Sequence, residues 1–515
     1  MRRLLVRTLF VRTLSAAGVT CLATAAFAQG GGATPAAAQL PLSGRSGQAG
    51  GVTASQTALP GATAGVNTAS PTVQVQGALT GSRSGPQALS GALGFRDAID
   101  RGLAYNLGTV NVGQVVKQAR SQQTIARSVL LPNIAGDLAA TRQQLNLAAS
   151  GFGSISSPIP GGFSFPSVVG PFNVVDLRAR LTQSVVDVTS WNNFKAAREG
   201  ARAAELTVDD SKDLVVLAVG GSYLQVLASR ARVESARVQV QTAEALYQQT
   251  AQRKAVGLAA QVDVDRSEIQ ALTQQQRLTA LRNDLAKQKI TLARMIGLPP
   301  SDSYELADDI AFAPAPATAV DASVRQAREH RADLKSAEAQ VRAAERALAA
   351  ARAERLPTVG VSGDYGTLGS TLANGRTTFS VAGRVHIPLW DGGRTGAHVS
   401  QAEAVVAQRK AELEDLSSQI EADIRRAILD LTAATSQVDL TQRNIAVTRE
   451  VLGLTRQRFE AGVADSLEVV QAQELVATAE LDFINGVFAH NLSKLTLARA
   501  TGQANELVGE FLTLP

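Results

Sequence analysis

The sequence predicts a mainly α chain that also supplies strands to a transmembrane β-barrel. It reads as a duplicated unit of long coiled-coil helices with four strands per chain. Three observations predict this. Ile424, Leu431, Val438, Ile445, Leu452 and Phe459 are apolar at strict seven-residue spacing, beside a smaller row of Ile420, Ala427, Ala434, Thr441, Thr448 and Thr455. Both rows recur 205 positions earlier, as Val219, Val226, Val233, Val240 and Tyr247 beside Val215, Ser222, Ser229, Ala236, Ala243 and Thr250, with a break at Lys254. Each half also holds a Leu-Pro pair followed by alternating apolar and polar residues. A 3.5-residue repeat held this long predicts left-handed supercoiled helices.

In chain order, the first 28 residues carry Arg2, Arg3, Arg7 and Arg12, an apolar stretch from Leu14, and a closing Ala26-Phe27-Ala28. That is the pattern of a secretory signal peptide. The one cysteine, Cys21, lies inside it, after Gly18-Val19-Thr20 rather than a lipoprotein pattern. A cleaved chain therefore has no disulfide or thiolate chemistry. The net charge is +5. With four of those charges in the signal, the remainder is near neutral and nothing points to nucleic acid. No later segment has 18 consecutive apolar residues, so no transmembrane helix is expected. Such a chain is soluble in the periplasm, released, or inserted as a β-barrel. Residues 29–90 are rich in Gly, Ala, Ser, Thr, Gln and Pro, with only Arg45 and Arg83 charged. They read as a disordered leader.

The first structural repeat is expected over 91–310, a Pro/Ala linker over 311–320, the second repeat over 321–503 and a tail over 504–515. Gly257 matches Gly462 and Gly297 matches Gly502 across the 205-residue offset. Gly257 and Gly462 should each reverse the chain between helices, because glycine accepts the left-handed backbone of such a turn. Leu131-Pro132 and Leu356-Pro357 should end helices and turn the chain extended. The first long helix is expected from about Val208 to Gly257.

Four strands follow those prolines. Val175, Leu177, Ala179 and Leu181 alternate with Asp176, Arg178, Arg180 and Thr182, and Ile134, Leu138 and Ala140 suggest a weaker partner. Val359, Val361 and Tyr365 alternate with Ser362 and Asp364. Phe379, Val381, Val385 and Ile387 alternate with Thr378, Ser380, Arg384 and His386. The first hairpin loop should be long, from about Leu145 to Phe172, and the second short, around Leu372 to Arg376. One apolar and one charged face suits a strand between lipid and a wet lumen. Asp176, Arg178, Arg180 and Arg384 are then lumen residues. Four strands cannot close a barrel, and an open edge in lipid leaves backbone groups unsatisfied. Three chains together would supply twelve.

These features resemble the outer-membrane efflux (TolC) family over about residues 91–503. The carriers are the paired Leu-Pro strands, Pro388-Leu389-Trp390-Asp391-Gly392-Gly393-Arg394, Arg458-Phe459-Glu460-Ala461-Gly462-Val463, and Leu-Ala-Arg-x-x-Gly at 497–502 with its echo at 292–297. The resemblance implies a homotrimer with a 12-stranded barrel in outer-membrane lipid and an α-helical periplasmic tunnel. It implies the exit duct of a tripartite efflux pump or type I secretion system, with a periplasmic adaptor (membrane fusion) protein and an inner-membrane pump as partners. It implies no cofactor and no nucleic acid. By resemblance, Gly257-Leu258 and Gly462-Val463 form the adaptor-docking tip, and Asp263 and Glu468 ring the periplasmic aperture. The chain departs from the family where an aromatic hydroxyl and an arginine often latch the second tip. Here Phe459 lacks the hydroxyl, and Ala464 and Asp465 bring no cation.

No enzyme is expected. His330, His386, His398 and His490 lack metal-ligand spacing. Asp391-Gly392-Gly393-Arg394-Thr395-Gly396 lacks the spacing and lysine of a phosphate loop. The alternative is a trimeric coiled-coil structural, adhesin or adaptor protein without a channel. Strands in both halves, set between helices, argue against it.

Overall fold

The structure, a computed structural model, describes residues 52–58, 69–85, 91–147, 149, 166–301, 304–315 and 319–505. The expected signal peptide and Cys21 lie outside these residues. Two strands come first, β1 (Val52–Ala58) and β2 (Ala69–Val75), paired antiparallel. The first repeat follows as α1 (Phe95–Tyr105), α2 (Leu107–Ser128), β3 (Asn133–Asn146), β4 (Val168–Val186), α3 (Val188–Ala255) and α4 (Gln261–Met295). The second is α5 (Val320–His330), α6 (Ala332–Ala353), β5 (Thr358–Gly369), β6 (Arg376–His386), α7 (Arg394–Glu460) and α8 (Ser466–Ala500). The duplication is thus repeated element for element.

The heptad rows fold as the spacing requires. Ile420, Ile424, Ala427, Leu431, Ala434 and Val438 are buried along α7, and Val215, Val219, Ser222, Val226, Ser229, Ala236 and Val240 along α3. Both seams pack within the chain: Ile420 to Leu431 cluster with Ala327, Leu334 and Leu497. At 68 residues, α3 spans about 100 Å. It starts at Val188, well before the expected Val208. Ahead of the seam it packs on α2 and α6 largely through small residues such as Ala201 and Ala203, which carry no seven-residue signal. Its apolar stretch would suit a membrane span by length and composition, but 78% of it is buried inside the chain. That stretch forms the main core with Phe95, Ile99, Leu292, Met295, Phe488 and Leu495.

All four duplicated glycines take the left-handed turn, with φ of 77° at Gly257, 76° at Gly297, 75° at Gly462 and 77° at Gly502. At each, the following N–H reaches five residues back, as from Leu258 to the Arg253 carbonyl and from Val463 to the Arg458 carbonyl. That closes the preceding helix.

The disordered-leader expectation for 29–90 is overturned over residues 69–85. Leu79 is fully buried in the main core, and Val73 and Val75 pack against it. Gly221 of α3 permits this, because a Cβ there would meet Val73 at 3.2 Å. Three apolar residues suffice to dock a segment whose average composition is polar. The linker at 311–320 is also tied down. Asn491 and Lys494 donate to the carbonyls of Ala311 and Ala313 at 3.0 and 2.7 Å, and α5 already begins at Val320. The start of the expected tail is in the core at Ala504.

Candidate functional site

The four long strands form one antiparallel sheet in the order β3-β4-β5-β6. The register puts Asp137 opposite Arg178, Arg180 opposite Asp364, and Asp364 opposite Ser380. Cross-strand partners share a face. One face therefore carries Asp137, Asp176, Arg178, Arg180, Asp364, Ser380 and Arg384. The other carries Ile134, Leu138, Leu177, Leu181, Val361, Tyr365, Phe379, Val381 and Val385, all of them exposed in the single chain. The sequence alternation is borne out on all four strands. The first hairpin loop is shorter than expected, since β4 already starts at Val168.

On the polar face, Arg178 bridges Asp176 at 3.0 Å and Asp364 at 2.5 Å, and Arg180 meets Asp137 at 3.3 Å. Ser380 donates to Asp364. Three of the four predicted lumen residues, Asp176, Arg178 and Arg180, are thus joined in one charged patch, while Arg384 lies on β6, an edge strand. β3 is the opposite edge. Neither edge is paired among the described residues.

At the far end of the long helices, the two glycine turns present Leu258 and Val463 to solvent, 77% and 69% exposed. Just beyond, Asp263 and Glu468 sit in the first turns of α4 and α8, where a carboxylate complements the helix dipole. Asp263 accepts from the Ser466 hydroxyl at 2.8 Å, and Glu468 is paired with Arg458 at 2.9 Å.

Arg253 was missed by the sequence reading. Its guanidinium donates to the Phe459 carbonyl at 2.8 Å and the Glu460 carbonyl at 3.0 Å, and lies 4.4 Å from the centre of the Phe459 ring. A cation at these carbonyls completes the C-terminus of α7 from the other hairpin. The signal was present: Arg253 and Arg458 both stand four residues before a turn glycine. The repeats use them differently. Arg458 pairs inside its own hairpin, whereas Arg253 crosses to the second.

The sequence profile described as outer membrane efflux protein matches residues 113–298 and 323–503. The chain is 26% identical over 434 residues to outer membrane protein OprJ of Pseudomonas aeruginosa, covering 79% of this chain and 84% of OprJ. It is 23% identical over 333 residues to outer membrane protein TolC of Vibrio cholerae, covering 63% of this chain and 76% of that one. Among solved structures, the Campylobacter jejuni CmeC outer membrane channel superposes with a TM-score of 0.69 at 15% identity, over 80% of this chain and 86% of CmeC. VceC of Vibrio cholerae gives 0.67 at 19% identity, over 79% and 96%. The profile covers most of both repeats, with the four strands and both helical hairpins inside them, so the chain belongs to the outer membrane efflux protein family.

Proposed function

We propose that this outer-membrane efflux channel works as a homotrimer, in which three sheets close a 12-stranded barrel over a helical periplasmic tunnel. The observation that carries this is the β3–β6 sheet, apolar on one face, charged on the other and open at both edges. In lipid, unpaired backbone groups cost several kcal/mol each, and closure by other copies removes both edges. The charged face then lines a wet lumen holding Asp176, Arg178, Arg180 and Arg384.

The duct is passive. An inner-membrane pump supplies the energy, and a periplasmic adaptor joins pump to duct at Leu258 and Val463. These two have no core to enter and are free to pack on a partner. Asp263 and Glu468 stand within a turn of that tip and ring its aperture, Glu468 in an ion pair with Arg458. Arg253 holds the tip closed in place of the aromatic hydroxyl and arginine that this chain lacks.

Native mass measurement in detergent and conductance in a planar bilayer test the proposal. A trimer that conducts ions is expected. A stable monomer, or a trimer without conductance, refutes it.

A further inference from the structure

The charges on the polar face of the β3–β6 sheet do not balance. By register that face holds three carboxylates, Asp137, Asp176 and Asp364, against four guanidiniums, Arg178, Arg180, Arg376 and Arg384. Arg142, the remaining arginine of these strands, stands opposite Asn173 and so falls on the other face. His386 shares the polar face and is counted neutral. One positive charge per chain is therefore in excess, and three in a trimer. The hairpin loops do not offset it, because residues 147–167 and 370–375 contain no charged residue.

The excess is concentrated on β6. Arg178 and Arg180 take up all three carboxylates, whereas Arg376 and Arg384 make no ion pair among the described residues. Both stand on a strand that is exposed along its length in the single chain. Eight residues part them, about 27 Å along a strand. Arg376 is at the loop end, in the same cross-strand row as Leu368 and Asp176. Arg384 is at the helix end, in a row with Gly360 and Ser184. That row holds no carboxylate among the described residues, and Gly360 brings no side chain to cover the guanidinium. β3, the strand that a neighbouring copy would set against β6, carries Asp137 as its one carboxylate, already held by Arg180. Arginine keeps its proton in proteins, and rings of arginine or lysine in a pore favour anions.

We propose that three Arg384 side chains, one from each copy, form a cationic ring at the tunnel end of the barrel, and that with Arg376 at the outer end they make the lumen prefer anions. Anionic solutes are then the class that the barrel passes most readily. The aperture does not impose the opposite preference, because each of its carboxylates has a cation beside it: Arg458 lies 2.9 Å from Glu468 and Arg266 lies 3.9 Å from Asp263. The inference rests on the trimeric channel reading above.

The test compares the full-length wild type with Arg384→Lys, Arg384→Gln and Arg384→Glu. Each is reconstituted in a planar bilayer under a potassium chloride gradient, and the potential at zero current is read. In wild type, chloride should permeate roughly twice as readily as potassium near 0.1 M salt, and the preference should fade near 1 M, where the screening length falls to about 3 Å. Arg384→Lys keeps the charge and should match wild type. Arg384→Gln removes the three excess charges of the trimer and should bring the permeability ratio near one. Arg384→Glu turns that excess negative and should invert the preference. Arg376→Gln removes as much charge from the other end and should shift the potential the same way, which keeps the test decisive if no position-384 variant assembles. A wild type that prefers potassium, or a zero-current potential that is the same in every variant, overturns the anion preference while leaving the channel in place. Trimers that conduct in no variant and not in wild type refute the channel reading itself.

Discussion

Replacing Arg253 with alanine should loosen the tip of the tunnel without unfolding the chain. The side chain makes two charged hydrogen bonds to the last carbonyls of α7 and stacks on Phe459. A hydrogen bond to a charged group contributes about 1.5–3 kcal/mol when well buried, and a partly exposed cation–π contact about 0.5–1 kcal/mol. The Glu460 end is exposed to water, so about 2 kcal/mol per protomer is a reasonable net value. That shifts the balance between held and released tips roughly 30-fold in each protomer. Conductance of the purified channel in a planar bilayer should rise. Arg253→Lys keeps the charge but not the fork that spans both carbonyls, and should fall between wild type and alanine. Arg458→Ala is the control. Its partner Glu468 is in the same hairpin and both side chains are about half exposed, so conductance should stay near wild type. If Arg253→Ala trimers conduct as wild type does, the clamp does not hold the tip.

Leu431→Asp should prevent assembly, since Leu431 is 8% exposed between α7 and its neighbours and a charge there costs several kcal/mol; normal trimer yield would show that the seam tolerates water. Leu258→Asp combined with Val463→Asp should leave the trimer and its conductance intact while abolishing pump-dependent export, and normal export would remove the tip from the docking surface. Leu79→Ala should cost about 2–5 kcal/mol, seen as a lower midpoint in thermal unfolding; an unchanged midpoint would mean that residues 69–85 add nothing to the core. Burial holds the Asp213 carboxyl up at about 6, with Arg499 opposing. The folded chain therefore binds that proton more tightly than the unfolded one, so this group's contribution to stability is greatest below about pH 4 and is lost as pH rises through about 6. Asp213→Asn should abolish this fall and raise stability at neutral pH by about 2–3 kcal/mol, and identical pH profiles for both proteins would contradict it.

The seams, glycine turns and strand faces were legible because each depends on a periodic choice of residue. A heptad must bury one side of a helix, a tight reversal needs positive φ, and alternation decides a strand's two faces. The same reasoning failed where a few residues act outside any periodic pattern. Val73, Val75 and Leu79 dock a polar segment that composition averages away. Arg253 looks like any exposed arginine near a helix end until the fold sets the carbonyls of α7 beside it. The pairing of Arg178 with Asp364 joins residues far apart in sequence, and follows only from the register of β4 on β5.

The duplication also shows where the repeats have separated. Asn106 stands at the break between α1 and α2, and Arg331 at the break between α5 and α6, with nearly the same backbone: φ −63° and ψ 137° against φ −61° and ψ 119°. Each reaches the carbonyl of the last residue of the returning helix, Asn106 to Met295 at 3.0 Å and Arg331 to Ala500 at 3.3 Å. In the first repeat a neutral amide makes this link, and Asn106 is satisfied by a second carbonyl, that of Leu79. In the second repeat the link brings a buried charge, which needs a counter-ion. Asp333 takes it at 2.6 Å. The carboxylates Asp210 and Asp213 of α3 lie with Arg499 of α8 in the same region, where Arg499 pairs with Asp210. Burial, more than repulsion from Asp210, is what resists a charge at Asp213. The pH response predicted above is thus confined to the second repeat's joint. Its counterpart at Asn106 carries no charge and should not respond.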